Sequence, residues 1–199
     1  MEFTVVQAMD AQQEMDEANY PLIRQFMVEK DKASTPKQKL KLPNTGMAIT
    51  TDIGNAKDIH PTNKQEVGIR LATIALNKVY KKNIVFSGPT YKSQEIKGNE
   101  IILTFDNIGS GLSTSGKNGI LKGFEIAGAD KVFHSAKAII KNNKVILSSE
   151  EVPNPVAVRY GWADDDTEIN LFNKEKFPAS PFRTDEWKMI TTGIKYNVE

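Results

Sequence analysis

Hydrophobic and polar residues alternate in two different ways along the chain, and the change comes near residue 82. In the first part, the β-branched run at residues 3–7 and the apolar run at residues 47–51 predict two strands. Apolar residues recur at helical spacing after each run, which gives the order strand, helix, strand, helix and is typical of a parallel sheet with covering helices. Because two strands are too few for a stable sheet, we expect the rest of that sheet to come from outside this chain.

Prolines open both predicted helices of the first part. Pro21 begins one and Pro61 the other, and proline suits the first turn of a helix because its missing N–H costs nothing there. The first helix is expected to end before Pro36, since proline cannot continue a helix. On the second helix, one face carries the apolar residues Val67, Leu71, Ile74 and Ala75. We expect that face to pack against the sheet.

After Asn83 the pattern changes to short β-rich runs separated by turn residues. The connections Gly98-Asn99 and Asn142-Asn143 predict tight hairpins, since glycine and asparagine tolerate the positive φ angles that such turns need. The predicted strands cover residues 91–97, 100–106, 122–127, 132–140, 144–148 and 156–162. Strands at this spacing indicate a β-sandwich. The predicted fold class is α/β plus all-β, with part of an α/β sheet domain in residues 1–82 and a β-sandwich domain in residues 83–199.

Composition and charge argue against several classes of function. The 26 basic and 25 acidic residues give a net charge of +1, so no overall field favours a nucleic acid as partner. The absence of cysteine excludes disulfides, thiolate metal sites and a cysteine nucleophile, and it fits either redox compartment. No apolar run approaches the ~20 residues of a membrane span, and residues 1–6 lack the pattern of an export signal. We therefore expect neither a nucleic acid nor a membrane as partner.

Any imidazole that acts as a general base must belong to one of two histidines, His60 or His134. His60 follows a predicted strand and precedes a predicted helix, the place where open α/β sheets bind their ligands. A helix N-terminus disfavours positive charge, so the imidazole should be neutral unless a carboxylate compensates, and Asp52 and Asp58 are the nearby candidates. The alternative is that His60 caps a helix or packs in a loop. His134 is expected on a half-solvated strand.

Six blocks of sequence carry a resemblance to a known family. They are LPNTGMA at 42–48, TDIG at 51–54, DIHPTNKQEVG at 58–68, LKGFEIAG at 121–128, VAVRYGW at 156–162 and FPASPFRT at 177–184. In this order they resemble the sialate O-acetylesterases, which are relatives of the SGNH hydrolases. The resemblance covers roughly residues 40–187 and is specific, because several separate motifs occur in the family's order.

The resemblance implies an ester hydrolase that removes O-acetyl groups from sialic acid, with a partial SGNH-type α/β domain and with neither metal nor cofactor. It identifies His60 with the family's catalytic histidine and leaves Asp58 and Asp52 as candidates for the carboxylate that orients it. SGNH relatives usually place an aspartate three residues before the histidine, where this chain has Lys57. The family also implies a periplasmic or secreted location, and an O-acetylated sialic acid or related acetylated sugar as the bound partner.

The family's nucleophilic serine and its oxyanion-stabilising glycine and asparagine lie upstream of the region that this chain resembles. We therefore expect the chain to be the C-terminal portion of the hydrolase and to be inactive alone, because its histidine has nothing to activate. The missing N-terminal half is then a possible partner. Ser110 lies between two glycines, yet no helical pattern follows it as a nucleophile elbow requires, so a sandwich loop is expected there.

Two further patterns are considered as binding sites, one for a sugar and one for calcium. Four aromatic residues of the second part could line a sugar-binding face or pack in the core, and they are Tyr160, Trp162, Phe172 and Trp187. They leave open the alternative of a non-catalytic carbohydrate-binding module. The aspartates at 164–166 offer carboxylates to calcium, but no second ligand cluster has the spacing to close a shell, so a solvated turn is expected.

Overall fold

The computed structural model describes residues 5–8, 46–55, 62–116, 119–163 and 169–188. Strands β1 (Val5–Ala8) and β2 (Gly46–Ile49) pair in parallel, with Val5 opposite Gly46 and Ala8 opposite Ile49. The two strands predicted at residues 3–7 and 47–51 and their parallel arrangement are therefore confirmed. The helix predicted between Pro21 and Pro36 lies outside the described residues.

Helix α1 (Lys64–Lys78) begins three residues later than the expected start at Pro61, which lies outside the described residues. Asn63 is its N-cap, and its side-chain oxygen accepts a hydrogen bond from the Glu66 N–H at 3.1 Å. The cap fixes the first helical residue at Lys64. Within the described residues, no helix has both the length and the apolar character needed to cross a membrane.

The predicted apolar face of α1 packs against β2. Val67 and Ile74 are buried, as the spacing predicts. The helix lies so close to the strand that a Cβ on Gly46 would stand 2.1 Å from Cγ2 of Ile74. A glycine is therefore required at residue 46 for the observed contact between the helix and the parallel strands.

The second part of the chain is built of short antiparallel strands. Within the described residues they are β3 (Thr90–Lys97), β4 (Glu100–Asp106), β5 (Leu112–Thr114), β6 (Ile120–Leu121), β7 (Phe124–Ala127), β8 (Phe133–Ser135), β9 (Lys137–Lys141), β10 (Lys144–Ser148), β11 (Ala157–Tyr160), β12 (Leu171–Asn173) and β13 (Phe182–Arg183). One sheet has the order β3-β4-β10-β9-β6 and another the order β13-β11-β7-β8, while β12 and β5 form a separate pair. The predicted all-β architecture is confirmed.

A single apolar core lies between the two larger sheets. Alternate side chains of β4 and β10 are buried in it, in agreement with the period of two that β-strands impose. Its fully buried members include Ile101, Leu103, Val145 and Leu147 from the first sheet and Ile126, Val158 and Tyr160 from the second. The Phe182 ring stacks on Tyr91 across the sheets, with centroids 4.8 Å apart. The two sheets are thus the layers of a β-sandwich.

Both predicted hairpin turns are confirmed. Gly98 has a φ of 60° between the paired residues Lys97 and Glu100. Asn142 and Asn143 have φ values of 52° and 57° between β9 and β10. Two successive residues with positive φ are the signature of the hairpin turn whose twist matches the strands.

The strand predicted at residues 132–140 is wrong as a single element. Its first half is β8, which pairs with β7 in one sheet, and its second half is β9, which pairs with β10 in the other. Between them, Ala136 donates its N–H to the carbonyl of Phe124 at 3.0 Å. The chain crosses from one layer of the sandwich to the other at this residue. The alternation of polar and apolar residues is the same on both sides of the crossing, so the sequence did not predict it.

The strand predicted at residues 122–127 is observed as β7, which begins two residues later. Gly123 has a φ of 78° and separates β7 from β6, a short strand that the sequence did not predict. A Cβ at this position would stand 2.4 Å from Cγ2 of Ile169, so both the backbone angle and the close approach require glycine. The break again sends successive strands to different sheets.

Candidate functional site

Of the three residues predicted for the catalytic site, one lies in the described part of the chain. His60 and Asp58 are outside the described residues, and their roles stay predictions. Asp52 lies in the turn that follows β2, where the Ile53 N–H donates to the Thr50 carbonyl at 3.2 Å. It therefore occupies the carboxyl end of a parallel strand, the edge at which open α/β sheets place their sites.

The Asp52 carboxylate is held by an arginine of helix α1. Nη1 of Arg70 lies 2.6 Å from Oδ1 of Asp52, and Nη2 lies 2.7 Å from Oδ2. The Arg70 side chain is 3% exposed and that of Asp52 13%. A two-point contact of this kind fixes the orientation of the carboxylate as well as its charge.

Arg70 also binds the strand and its own helix. Nη1 donates to the Ile49 carbonyl at the end of β2, and Nε donates to Oε1 of Glu66 at 3.2 Å. Burial by itself would lower the pKa of Arg70, but the hydrogen bonds and charges of Asp52 and Glu66 outweigh it and raise the pKa above its ordinary value. The guanidinium therefore stays charged and joins strand, turn and helix.

This arrangement limits what Asp52 can do for a neighbouring imidazole. Each carboxylate oxygen already accepts a hydrogen bond from Arg70, and the positive charge offsets the negative one. A further acceptor site remains on each oxygen, but the net field that favours an imidazolium is small beside a paired guanidinium. Asp52 thus holds the turn after β2 against α1, and its role beside an imidazole stays a prediction.

Arg70 is the functional candidate that the sequence interpretation missed. It lies three residues after Val67 and four before Ile74, on the face of α1 that carries the apolar stripe. A charged residue inside such a stripe is seldom fully buried unless it is paired. That interruption of the helical pattern is the signal that could have identified it.

Ser110 has a carboxylate as its partner. Its N–H donates to both oxygens of Glu175, at 2.9 and 3.2 Å, and its hydroxyl also contacts Oε1. The hydrogen bond from that hydroxyl is the main cause that lowers the pKa of Glu175 below its usual value. Ser110 lies in the loop between β4 and β5, as expected, and a strand rather than a helix follows it. The geometry of a nucleophile elbow is absent at this serine.

His134 lies on β8, as predicted, with a half-buried ring. Its Nδ1 is 2.9 Å from Oε2 of Glu151 on the neighbouring loop. This contact is an ordinary pair between a histidine and a carboxylate at the protein surface.

The aromatic residues considered for sugar binding do not share one surface. Tyr160 is fully buried in the sandwich core, where its hydroxyl accepts a hydrogen bond from the Leu171 N–H at 3.1 Å. Phe172 is half-buried on β12, in a different sheet. Tyr160 therefore belongs to the core-packing alternative.

Trp162 and Trp187 lie near Arg159 and Arg183 on the outer face of the β13-β11-β7-β8 sheet. The Arg159 guanidinium is 3.9 Å from the centroid of the Phe133 ring and 5.3 Å from that of Trp162. Trp187 packs against Phe133, with centroids 5.6 Å apart. These contacts are those of cation–π packing against a sheet.

One carboxylate lies at the centre of that packing. Asp185 accepts hydrogen bonds from Nε and Nη2 of Arg159, at 3.1 and 3.3 Å, and from Arg183. Burial opposes ionisation of Asp185, but the two arginines outweigh it and lower its pKa below the usual range. The aspartates at 164–166 lie outside the described residues.

Comparison with solved structures places these elements beside a known enzyme. The chain is similar to the crystal structure of a carbohydrate acetylesterase from Xanthomonas citri, with 48% sequence identity and a TM-score of 0.70. The match covers 75% of this chain and 34% of that one, so this chain spans about a third of the length of the enzyme it matches. No protein-family model and no curated protein matches this chain. The similarity supports an acetylesterase family.

Proposed function

We propose that this chain is part of a carbohydrate acetylesterase and supplies its catalytic histidine, His60. The observation that carries the proposal is the 48% identity, over three quarters of this chain, to an enzyme described as a carbohydrate acetylesterase. The six sequence blocks that resemble sialate O-acetylesterases support it independently, and one of them contains His60.

In the proposed reaction, His60 takes the proton of a serine hydroxyl while the serine oxygen attacks the acetyl carbonyl carbon. The imidazolium then gives this proton to the sugar oxygen as the ester bond breaks, which leaves an acetyl-enzyme. Water, activated by the same imidazole, releases acetate and restores the serine. We propose that the serine comes from a segment outside these 199 residues, as the family resemblance implies.

Asp58 is the carboxylate that we propose to orient His60. The two-point contact between Asp52 and Arg70 supports this choice, because it satisfies one acceptor site on each Asp52 oxygen and offsets its charge. A carboxylate that accepts the imidazole N–H fixes its tautomer and stabilises the imidazolium.

For the substrate we propose an O-acetyl ester of sialic acid. The sequence blocks resemble sialate O-acetylesterases, whereas the solved enzyme is described more broadly as acting on carbohydrates. A neutral acetylated sugar is the competing substrate, and the two differ by the carboxylate of sialic acid.

The test is to fuse this chain to the part of the Xanthomonas citri enzyme that lies outside the match and to assay acetate release. The fusion should cleave O-acetyl sialic acid faster than acetylated xylose, and His60→Ala should abolish the activity. The 199-residue chain alone should show little turnover, and His60→Ala should not change that residual rate. A fusion that binds sialosides without cleaving them would instead favour the carbohydrate-binding module. Turnover by the isolated chain at about 1 per second or faster would refute a nucleophile from outside it.

A further inference from the structure

A row of four isoleucines crosses the outer face of the β3-β4-β10-β9-β6 sheet. Ile102 of β4 pairs with Ile146 of the central strand β10. Ile146 pairs in turn with Ile139 of β9, and Ile139 with Ile120 of β6. Paired residues of neighbouring strands point to the same face, and the chain neighbours of Ile102 and Ile146 are buried in the core. The four side chains therefore lie in one line on the side of the sheet that faces away from the core.

This isoleucine row is accessible and has a polar rim. Ile120 is 51% exposed and Ile139 40%, while Ile102 and Ile146 are half-buried. Single exposed apolar side chains are common on protein surfaces, whereas a contiguous apolar patch with a polar rim marks an interaction site. On one side the rim consists of Ser93, Thr104, Lys144 and Lys141, and on the other of Lys97, Glu100, Ser148 and Lys137.

The charges of the rim are divided between the two halves of the sheet. Glu100 lies on β4, on one side of the central strand, and Lys137 and Lys141 lie on β9, on the other side. All three side chains are exposed, and none of them forms an ion pair within the described residues. Glu95 of the same face is already paired with Lys97, at 3.1 Å. A negative charge and two positive charges are thus available to a partner on opposite sides of β10.

Two copies of this sheet can cover each other face to face in two aligned arrangements with twofold symmetry. If the axis runs along β10, β4 of one copy faces β9 of the other, so Glu100 meets Lys137 and Ile102 meets Ile139. If the axis runs along the isoleucine row, β9 faces β9 and Lys137 meets Lys141. The second arrangement brings like charges together, which disfavours association, whereas the first brings opposite charges together.

We propose that this face is the interface of a homodimer whose twofold axis runs along β10. The isoleucine row forms the apolar centre, and Glu100 pairs with Lys137 of the other copy at two symmetric places. A second copy is the occupant because the two halves of the face are complementary in charge to each other. Lys144 meets its own copy near the axis, but as the first residue of β10 it extends its ammonium into the solvent. The inference does not depend on the acetylesterase reaction.

The expected dimer is weak and reversible. Five strands at the usual spacing span only about 20 Å, so the contact lies at the small end of protein interfaces. Sedimentation velocity of the 199-residue chain, from low micromolar to near millimolar concentration, should show a mean mass that rises from monomer toward dimer. Ile139→Glu should weaken association about tenfold or more, because it buries a charge in the apolar centre. Ile69→Glu is the matched control on the exposed side of α1, and it should leave association unchanged.

Charge reversal tests the orientation of the two copies. Glu100→Lys and Lys137→Glu should each weaken association by about tenfold, since each replaces two attractive contacts by two repulsive ones. A mixture of these two variants should form a heterodimer about as well as the wild type associates, because both pairs are then restored in reversed order. The double variant Glu100→Lys with Lys137→Glu should associate with itself for the same reason. Recovery on mixing also shows that neither variant lost its fold.

Three results would overturn the proposal. A chain that stays monomeric at every concentration, as expected if another part of the enzyme covers this face, would exclude the homodimer. Association that Ile139→Glu leaves unchanged would place the interface elsewhere. Charge variants that are weakened singly but do not recover when mixed would exclude the twofold axis along β10.

Discussion

At the scale of single residues, buried charges determine the local geometry at two separate places. Asp185 lies between Arg159 and Arg183, as Asp52 lies against Arg70. The Asp185 side chain is 1% exposed, and its desolvation is offset by hydrogen bonds from its arginine partners and from the Trp187 N–H at 3.3 Å. The cluster anchors the residues after β13 to the outer face of the sheet.

We expect Asp185→Ala to lower the free energy of unfolding by about 3–5 kcal/mol, because it leaves two arginines without their carboxylate in a buried setting. Urea denaturation followed by tryptophan fluorescence measures the loss. Glu186→Ala is the matched control, since it removes the adjacent and exposed carboxylate, and it should change stability by no more than about 0.5 kcal/mol. Equal effects of the two variants would contradict the assignment.

The same carboxylate predicts how stability depends on pH. Its pKa is lower in the folded chain than its usual value, so its contribution is complete above the unfolded pKa of about 3.9. That contribution is lost as pH falls below this value and through the lower folded pKa. Urea midpoints measured between neutral pH and acid should fall more steeply for the wild type than for Asp185→Asn. Parallel curves would show that Asp185 is not a source of acid lability.

At the scale of secondary-structure elements, the two asparagines in the hairpin turn between β9 and β10 have different roles. Asn142 and Asn143 both have positive φ, which glycine adopts at no steric cost. Only Asn143 has an additional role, since its side-chain oxygen accepts a hydrogen bond from the Leu112 N–H at 3.1 Å. The turn and the loop before β5 are joined by this bond.

Asn143→Gly should therefore destabilise the protein by about 1 kcal/mol relative to Asn142→Gly, the value of one net hydrogen bond. Both variants keep the backbone angles, so the difference between them isolates the side-chain contact. Thermal and urea unfolding of the two proteins measure it. Equal stabilities would show that the Leu112 contact contributes nothing.

The strands that the sequence predicted are those in which apolar and polar residues alternate over several positions and which end at turns with glycine or asparagine. It did not predict β5, β12 or β13, because two or three residues are too short for a period of two to be recognised. The layer changes at Gly123 and Ala136 were missed for another reason. Alternation is the same in both sheets, so it does not show which sheet a strand joins.

The site was predicted less completely than the fold. Sequence reasoning identified Asp52 by its position after a strand but did not supply its partner, since Arg70 comes from a helix that follows in the sequence. Two elements distant in sequence meet there only after folding. The roles of His60 and Asp58 stay predictions.

At the scale of the whole molecule, the predicted boundary near residue 82 can be tested against specific contacts. Residues 87–89 bind to the sandwich, because the Ser87 carbonyl accepts a hydrogen bond from Asn173 at 2.9 Å and the Pro89 carbonyl accepts one from the Ser180 N–H at 3.1 Å. A Cβ on Gly88 would stand 1.9 Å from the Pro178 carbonyl oxygen. The segment before β3 is thus part of the sandwich.

A fragment of residues 83–199 should therefore unfold cooperatively in urea, as an independent domain does. A fragment of residues 90–199 should be less stable by about 1–3 kcal/mol, because buried hydrogen-bonding groups lose their partners. Comparison of the two midpoints is the measurement. A non-cooperative, protease-sensitive 83–199 fragment would contradict the boundary.

In the whole enzyme, substitutions can show whether Asp58 or Asp52 orients the catalytic histidine. In the active fusion, Asp58→Ala should lower kcat by about 10⁴-fold, the loss typical when the orienting carboxylate of a catalytic histidine is removed. Asp52→Ala should lower kcat less and should also destabilise the fold, because it removes one of the two carboxylates that pair with the buried Arg70. Combining Asp52→Ala with Arg70→Met should recover stability without recovering rate. If Asp52→Ala instead costs more activity than Asp58→Ala and leaves the urea midpoint unchanged, then Asp52 is the orienting carboxylate, and its contact with Arg70 serves the imidazole directly.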